Sequence, residues 1–230
     1  MQLFYCKEIN QKLEISEEES RHIRKVLRKK NGEKINLTDG QGFLYVAELI
    51  NVNKKMCEVK VVEKIQKDSH SYNLHIAIAP TKNIQRFEWF LEKATEIGIN
   101  QITPIICDKS ERNKLNLDRS NRIILSAMKQ SLKFHLPKLN DPISFSDFIS
   151  QKFQSNKFIA YCRCDQRMKL NKQSLDKDIL VLIGPEGDFT DSEINDAMKS
   201  NFKTISLGIN RLRTETAGVY VANAINLINS

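Results

Sequence analysis

The sequence holds no apolar run long enough to span a bilayer, and its first ten residues, MQLFYCKEIN, lack the charged start and apolar core of a secretory signal. The expectation is therefore a cytoplasmic protein. Cysteine is sparse and odd in number: Cys6, Cys57, Cys107, Cys162 and Cys164, mostly in strand-like apolar contexts, which excludes a disulfide framework. Cys162 and Cys164 form a C-x-C, but no second cysteine or histidine pair stands at zinc-site spacing, and His22, His70, His75 and His135 are scattered, so no metal is expected. No G-x-G-x-x-G follows a strand-like run and no Walker A sequence occurs, which disfavours an ordinary dinucleotide fold and a phosphate loop.

What is present is a basic, soluble composition of 230 residues, with 36 Lys and Arg against 28 Asp and Glu and a formal charge of +8. That length allows one large domain or two smaller ones. Basic excess attracts polyanions, and its distribution matters more than its sum. Ser16-Glu17-Glu18-Glu19 reads as a capping box, and Ile23, Val26 and Leu27 recur at helical spacing, which predicts a helix over 17–30 that stops at Asn31-Gly32. From Arg21 to Lys30 this segment carries six basic residues and no acidic one, fit either for phosphate contact or for a solvated face.

After Gly32 the pattern shortens to alternating runs at 34–39, 43–49 and 56–63, so residues 1–70 are expected to form a small β-rich domain, with Gln66 to Ser71 as the linker. In residues 71–230, strand-like and helix-like segments alternate, which predicts a mostly parallel sheet covered by helices, an α/β domain. The helix predicted at 118–133 sets Ile124, Ala127 and Met128 on one side and Arg119, Arg122, Lys129 and Lys133 on the other, making a second basic patch. Two such patches favour a polyanionic partner.

Two segments share one design. The continuous apolar run Ile179 to Ile183, as expected of a central parallel strand, ends in Gly184-Pro185-Glu186-Gly187-Asp188-Phe189 before a capping box at Thr190-Asp191-Ser192-Glu193. Twenty-four residues beyond Gly184, the run Thr204 to Leu207 ends at Gly208, and Ile209 to Arg213 lead into a helix starting near Thr214-Glu215. In open α/β sheets ligands bind beyond the carboxyl ends of strands, where glycine lets the backbone approach closely. Either loop alone could be a tight turn; two in tandem suggest a cofactor pocket.

Ile183-Gly184-Pro185-Glu186-Gly187-Asp188-Phe189, and Leu207-Gly208 followed by Leu212-Arg213-Thr214-Glu215-Thr216-Ala217, resemble the RsmE family of 16S rRNA uridine-N3 methyltransferases, within the SPOUT superfamily. His22 to Arg28 with Asp39-Gly40 is similar to that family's PUA-like RNA-binding domain, and Glu92 to Gly98 and Lys129-Gln130-Ser131 also resemble family segments. The resemblance implies a small N-terminal PUA-like β-barrel domain over 1–70 and a SPOUT-type trefoil-knotted α/β domain over 71–230. It further implies a homodimer, S-adenosylmethionine as cofactor, and 16S rRNA of the 30S subunit as partner. By the same resemblance, Ile183, Gly184, Pro185, Glu186, Gly187, Ser206, Leu207, Gly208, Leu212 and Thr214 are the candidate cofactor-binding residues. Three departures stand out: Asp188 where many members have a second glycine, Ile209-Asn210-Arg211 for a commoner Pro-Arg-Ile, and Lys133 near the place of a frequent arginine.

Deprotonating uridine N3 spreads negative charge onto two carbonyl oxygens, which a guanidinium stabilises. Arg213 is the first candidate for that work. Arginine stays protonated, so the base is left open among Glu215, Glu186 and solvent hydroxide; Arg213 and Glu215 are the candidate catalytic pair. Arg21, Arg24, Arg28, Lys82, Arg86, Arg112, Arg119 and Arg122 are candidate RNA contacts that position the substrate through phosphates. A ribose 2′-hydroxyl methyltransferase and a non-enzymatic RNA-binding or ribosome assembly factor are the competing readings.

Overall fold

The computed structural model describes residues 2–53, 56–161, 168, 169 and 177–229; Cys162 and Cys164 lie outside them. The chain divides into two compact units, one formed by Met1–Ser69 with Leu125–Leu136 and the other by His70–Ile124 with Pro137–Ser230.

The first unit is a five-stranded sheet of β1 (Leu3–Tyr5), β2 (Lys12–Ile15), β3 (Lys34–Thr38), β4 (Phe43–Val52) and β5 (Cys57–Gln66), in the order β1-β3-β4-β5-β2. Leu37, Ala47, Leu49, Cys57 and Val59 are wholly buried in its core, each at a two-residue spacing from an inward neighbour. Only β1 pairs in parallel. β1 and β2 escape the sequence reading because three and four residues are too few to show alternation.

Between β2 and β3 lies α1 (Glu17–Arg21), capped by the Ser16 side chain, which accepts from the Glu19 amide. The predicted helix over 17–30 is shorter and differently wound. From His22 to Val26 it is a π-helix, with the Leu27 amide reaching the His22 carbonyl. The extra residue in that turn keeps Ile23 buried but swings Val26 outward to 68% exposure, against the helical stripe expected of it. Arg28 then adopts a left-handed backbone, φ 55°, which ends the helix before Asn31.

In the second unit every pairing of the sheet is parallel. Its elements are β6 (Asn73–Ile78), α2 (Ile84–Ile97), β7 (Gln101–Ile106), α3 (Leu117–Gln130), β8 (Lys138–Leu139), β9 (Ile143–Ser144), α4 (Phe145–Ile149), β10 (Asn156–Ala160), β11 (Met168–Lys169), β12 (Asp178–Ile183), α5 (Asp191–Lys199), β13 (Lys203–Ser206) and α6 (Thr214–Asn229). Helix α3 buries Ile124, Ala127 and Met128, the apolar side read from its spacing.

The strand order is β11-β13-β10-β12-β6-β7-β8, with β9 also on β7. β12 is thus inserted between β6 and β10 although it follows both in the chain. Its five apolar residues, Ile179 to Ile183, are at most 2% exposed, as required of a strand covered on both faces. At roughly 1.5–3 kcal/mol per buried aliphatic side chain, burying these five contributes roughly 8–15 kcal/mol to the unit's cohesion. α2 and α6 pack on each other, Phe90 of α2 lying over Gly218 of α6, where a side chain would not fit.

A candidate active site at the carboxyl ends of the parallel strands

β10, β12 and β13 run in parallel side by side, so their carboxyl ends, Ala160, Ile183 and Ser206, open on one edge of the sheet. A cavity of about 390 Å³ lies there, within the range of roughly 300–1,000 Å³ common for small-molecule sites. Its wall takes Ala160 and Tyr161 at the end of β10, Ile183, Gly184, Pro185, Glu186 and Asp188 at and beyond the end of β12, Ile205 to Arg213 at and beyond the end of β13, and Thr214 and Ala217 of α6. The floor is apolar, from Ile183, Ile205, Leu207 and Leu212; the rim carries Glu186, Arg211 and Arg213.

Each loop is locked by identifiable bonds. The Asp188 amide closes a turn on the Pro185 carbonyl at 2.9 Å, and Asp188 itself stands at φ 61°. Glycine adopts this left-handed position freely; aspartate tolerates it because its own carboxylate accepts from the Phe189 amide at 2.9 Å. Lys109 Nζ donates to the carbonyls of Gly187 and Phe189, at 3.1 and 3.4 Å. The predicted capping box at Thr190 forms, and Glu193 also accepts from the Asp108 amide at 3.0 Å, tying the end of β7 to the start of α5. The same buried carboxylate helps burial push the Cys107 thiol well above its ordinary pKa, so this cysteine is inert rather than nucleophilic.

The second loop turns at Gly208, φ 124°, a conformation open to glycine, with the Ser206 hydroxyl bonded to the Gly208 amide and carbonyl. Two bonds then fasten it to the first loop. The buried Thr214 hydroxyl donates to the Gly184 carbonyl at 3.0 Å, and Arg211 Nη2 donates to the Glu186 carbonyl at 3.0 Å.

A family model for an RNA methyltransferase domain matches residues 67–226, and one for an RNA methyltransferase PUA domain matches residues 15–62. The ribosomal RNA small subunit methyltransferase E of Mesomycoplasma hyopneumoniae is 34% identical over 79% of this chain and 80% of its own. The chain belongs to the ribosomal RNA small subunit methyltransferase E family. Among solved structures, a probable rRNA-methyltransferase from Porphyromonas gingivalis superposes with a TM-score of 0.92 at 37% identity, covering 100% of this chain and 98% of that one. A family member from Neisseria gonorrhoeae, bound to S-adenosyl methionine, superposes with a TM-score of 0.87 at 26% identity, covering 99% and 97%.

For this family member, the geometry sorts the residues singled out from sequence. Nine of the ten cofactor candidates line the cavity, Gly187 being the exception, and Arg213 lines it too. Glu215 does not: its side chain is 8% exposed, its Oε1 lies 3.8 Å from Arg86 Nε, and its buried Oε2 has no partner among the described residues. Ala160, Tyr161, Asp188, Ile205 and Ala217 join the wall unforeseen. No glycine marks the end of β10, and only its place in the sheet order reveals it.

The basic candidates are also unequal. Arg119 is clasped by Glu88 through two bonds, at 2.5 and 2.8 Å, and Lys82 Nζ lies 2.6 Å from Glu111. Arg112 donates to main-chain carbonyls. In the first unit Lys129 pairs with Glu19 at 2.6 Å, while Arg21, Arg24 and Arg28 have no carboxylate partner among the described residues. Lys133 is partly buried, which holds its ammonium below the ordinary lysine pKa. Among the described residues no cluster of three or more potential ligands could hold a metal ion, and no helix is long and apolar enough to cross a membrane.

Proposed function

We propose that this protein transfers a methyl group from S-adenosylmethionine to N3 of a uridine in 16S rRNA. The observation that carries the reading is that Arg213 and Glu186 share the wall of an apolar-floored cavity built by the two glycine loops. The residues present fit the cofactor: Ile183, Ile205, Leu207 and Leu212 are apolar wall residues suited to an adenine, and the turn residues of both loops share that wall. When bound, the cofactor supplies an electrophilic methyl carbon on a sulfonium.

The chain's own work is positioning and charge. Displacement at that carbon needs the acceptor nitrogen held in line at near-attack distance, which the rigidly bonded loops favour. Arg213 lines the cavity, and to its guanidinium falls the stabilisation of the charge that deprotonation spreads over the uracil carbonyls. Of the two carboxylates, Glu186 reaches the cavity wall and Glu215 does not, so the proton passes to Glu186. Its Oε1 already accepts from the Lys82 amide at 2.9 Å, which fixes the carboxylate. Glu215, with Arg86, anchors the start of α6 and hence the strand of chain bearing Arg213.

A paired uridine hides N3, so the base must be unpaired or extruded. Arg21, Arg24 and Arg28 in the 1–70 domain and Arg122 in the 71–230 domain are the proposed phosphate contacts, within the assembled 30S subunit of the cytoplasm. We read β12, threaded between β6 and β10, as part of the trefoil knot implied by the resemblance. Trp89 and Tyr220, exposed on the packed pair α2 and α6, suit a homodimer interface, where such aromatics are enriched. The test is methyl transfer to undermethylated 30S particles by wild type and Arg213→Ala. A fall in kcat of about 100- to 1,000-fold with cofactor affinity retained is expected of a lost oxyanion partner; an unchanged rate would remove Arg213 from the mechanism.

A further inference from the structure

Arg112 lies in a basic stretch, and sequence alone makes it an RNA contact. Its guanidinium is directed elsewhere. Nε donates to the Thr81 carbonyl at 3.1 Å and, more weakly, to that of Lys82 at 3.3 Å, while Nη2 donates to the Lys82 carbonyl at 2.8 Å. The loop so gripped follows β6 and leads into α2. Its far side is pinned too, since the wholly buried Thr81 donates its hydroxyl to the Asn83 carbonyl at 2.7 Å, and the Asn83 side chain caps α2.

The Thr81 carbonyl and the Lys82 amide belong to one planar trans peptide unit. Arg112 holds the oxygen end of that plane, and the N–H end donates to Glu186 Oε1 at 2.9 Å. A cation at the carbonyl also polarises the unit and strengthens its N–H as a donor. The Lys82 ammonium takes no part in this, because it lies against Glu111. One rigid plane therefore links a guanidinium outside the cavity wall to a carboxylate within it.

We propose that Arg112 is a positioning residue that orients the Thr81–Lys82 peptide so that Glu186 is held in its proton-accepting pose. The inference rests on the reading of Glu186 given above, and deepens it. It gives Arg112 an effect on turnover and none on RNA affinity.

The experiment is a double-mutant cycle on the full chain, with Arg112→Ala, Arg112→Lys, Glu186→Gln and both combinations assayed on undermethylated 30S particles. Glu186→Gln is expected to lower kcat by about 100- to 10,000-fold, the range for a general base. Arg112→Ala is expected to lower kcat by roughly 10- to 100-fold, as misplacements near 1 Å do, with KM for the particles unchanged. That loss should vanish in the Glu186→Gln background, because groups acting through one another are not additive. Arg112→Lys, which keeps one donor for the Lys82 carbonyl, should show a smaller kcat loss that vanishes likewise, and it carries the cycle alone if the alanine variant does not fold.

Equal losses in both backgrounds would overturn the proposal, as would a lysine variant with no kcat loss. So would a raised KM for particles, at unchanged kcat, with a shallower dependence of binding on salt; that pattern marks a phosphate contact. Full activity of Glu186→Gln would overturn it while leaving methyl transfer intact, whereas a wild-type enzyme without methyl transfer would overturn the underlying reading as well.

Discussion

Replacing Thr214 with valine removes one hydrogen bond and almost no volume. The Thr214 hydroxyl is buried and donates to the carbonyl of Gly184, a buried residue on the cavity wall, so the variant leaves that acceptor without its protein partner. Such a loss costs about 1–3 kcal/mol. Where the cost appears depends on the loop. If the loop holding Gly184 keeps its shape, the whole penalty falls on folding, and urea unfolding of the free protein registers it. If the loop turns its carbonyl out to water, stability is spared and the penalty returns on binding S-adenosylmethionine, as a loss of about 5- to 150-fold in Kd. The sum of the two losses is the invariant, since one bond is removed. Parallel urea titration and calorimetric titration of the cofactor measure both. The reasoning fails if both stay within about 0.5 kcal/mol of wild type, the ordinary range for a surface change.

Two further outcomes concern the scaffold under the site. Gly218→Ala gains about 1 kcal/mol of helix propensity, yet its Cβ would lie 2.5 Å from Phe90 Cε2 and 3.0 Å from Ile78 Cδ1, both in fully buried side chains. Overpacking of that kind costs about 1–3 kcal/mol, so urea unfolding should show a net loss, partly recovered by adding Phe90→Leu; a net gain would contradict the packing described. His75 is partly buried against Phe148 and Phe153 and bonded to the Thr103 hydroxyl at 2.7 Å, and desolvation pulls its pKa down to about 4. The unfolded chain takes up this proton near pH 6.5 and the native one only near pH 4, so stability falls as pH drops through that window, by up to roughly 3 kcal/mol. His75→Gln should flatten the fall, and an equally steep curve would place the acid sensitivity elsewhere.

The strand β12, the loop from Gly184 and the capping box at Thr190 are legible in the sequence because they rest on local rules: an apolar run, a glycine turn, a reciprocal cap. Asp188 is legible only by comparison, and its φ of 61° supplies the physical reason. The π-helix at His22–Val26 is illegible, since one inserted residue leaves the apolar stripe looking ordinary while sending Val26 to solvent. Basic residues mislead in the same way. Arg112 and Arg119 look alike along the chain, yet one is bonded to backbone carbonyls and the other to Glu88, and those partners lie about 30 residues away in sequence, beyond any periodicity. Glu215 shows the converse: a conspicuous motif residue that folding buries beside Arg86 instead of exposing to the cavity.

The most direct measurement is the identity of the methylated nucleoside. Undermethylated 30S subunits incubated with the protein and labelled S-adenosylmethionine, then digested to nucleosides and resolved by mass spectrometry, should yield labelled 3-methyluridine that disappears with Arg213→Ala. Label on a ribose 2′-hydroxyl or on another base would contradict the account.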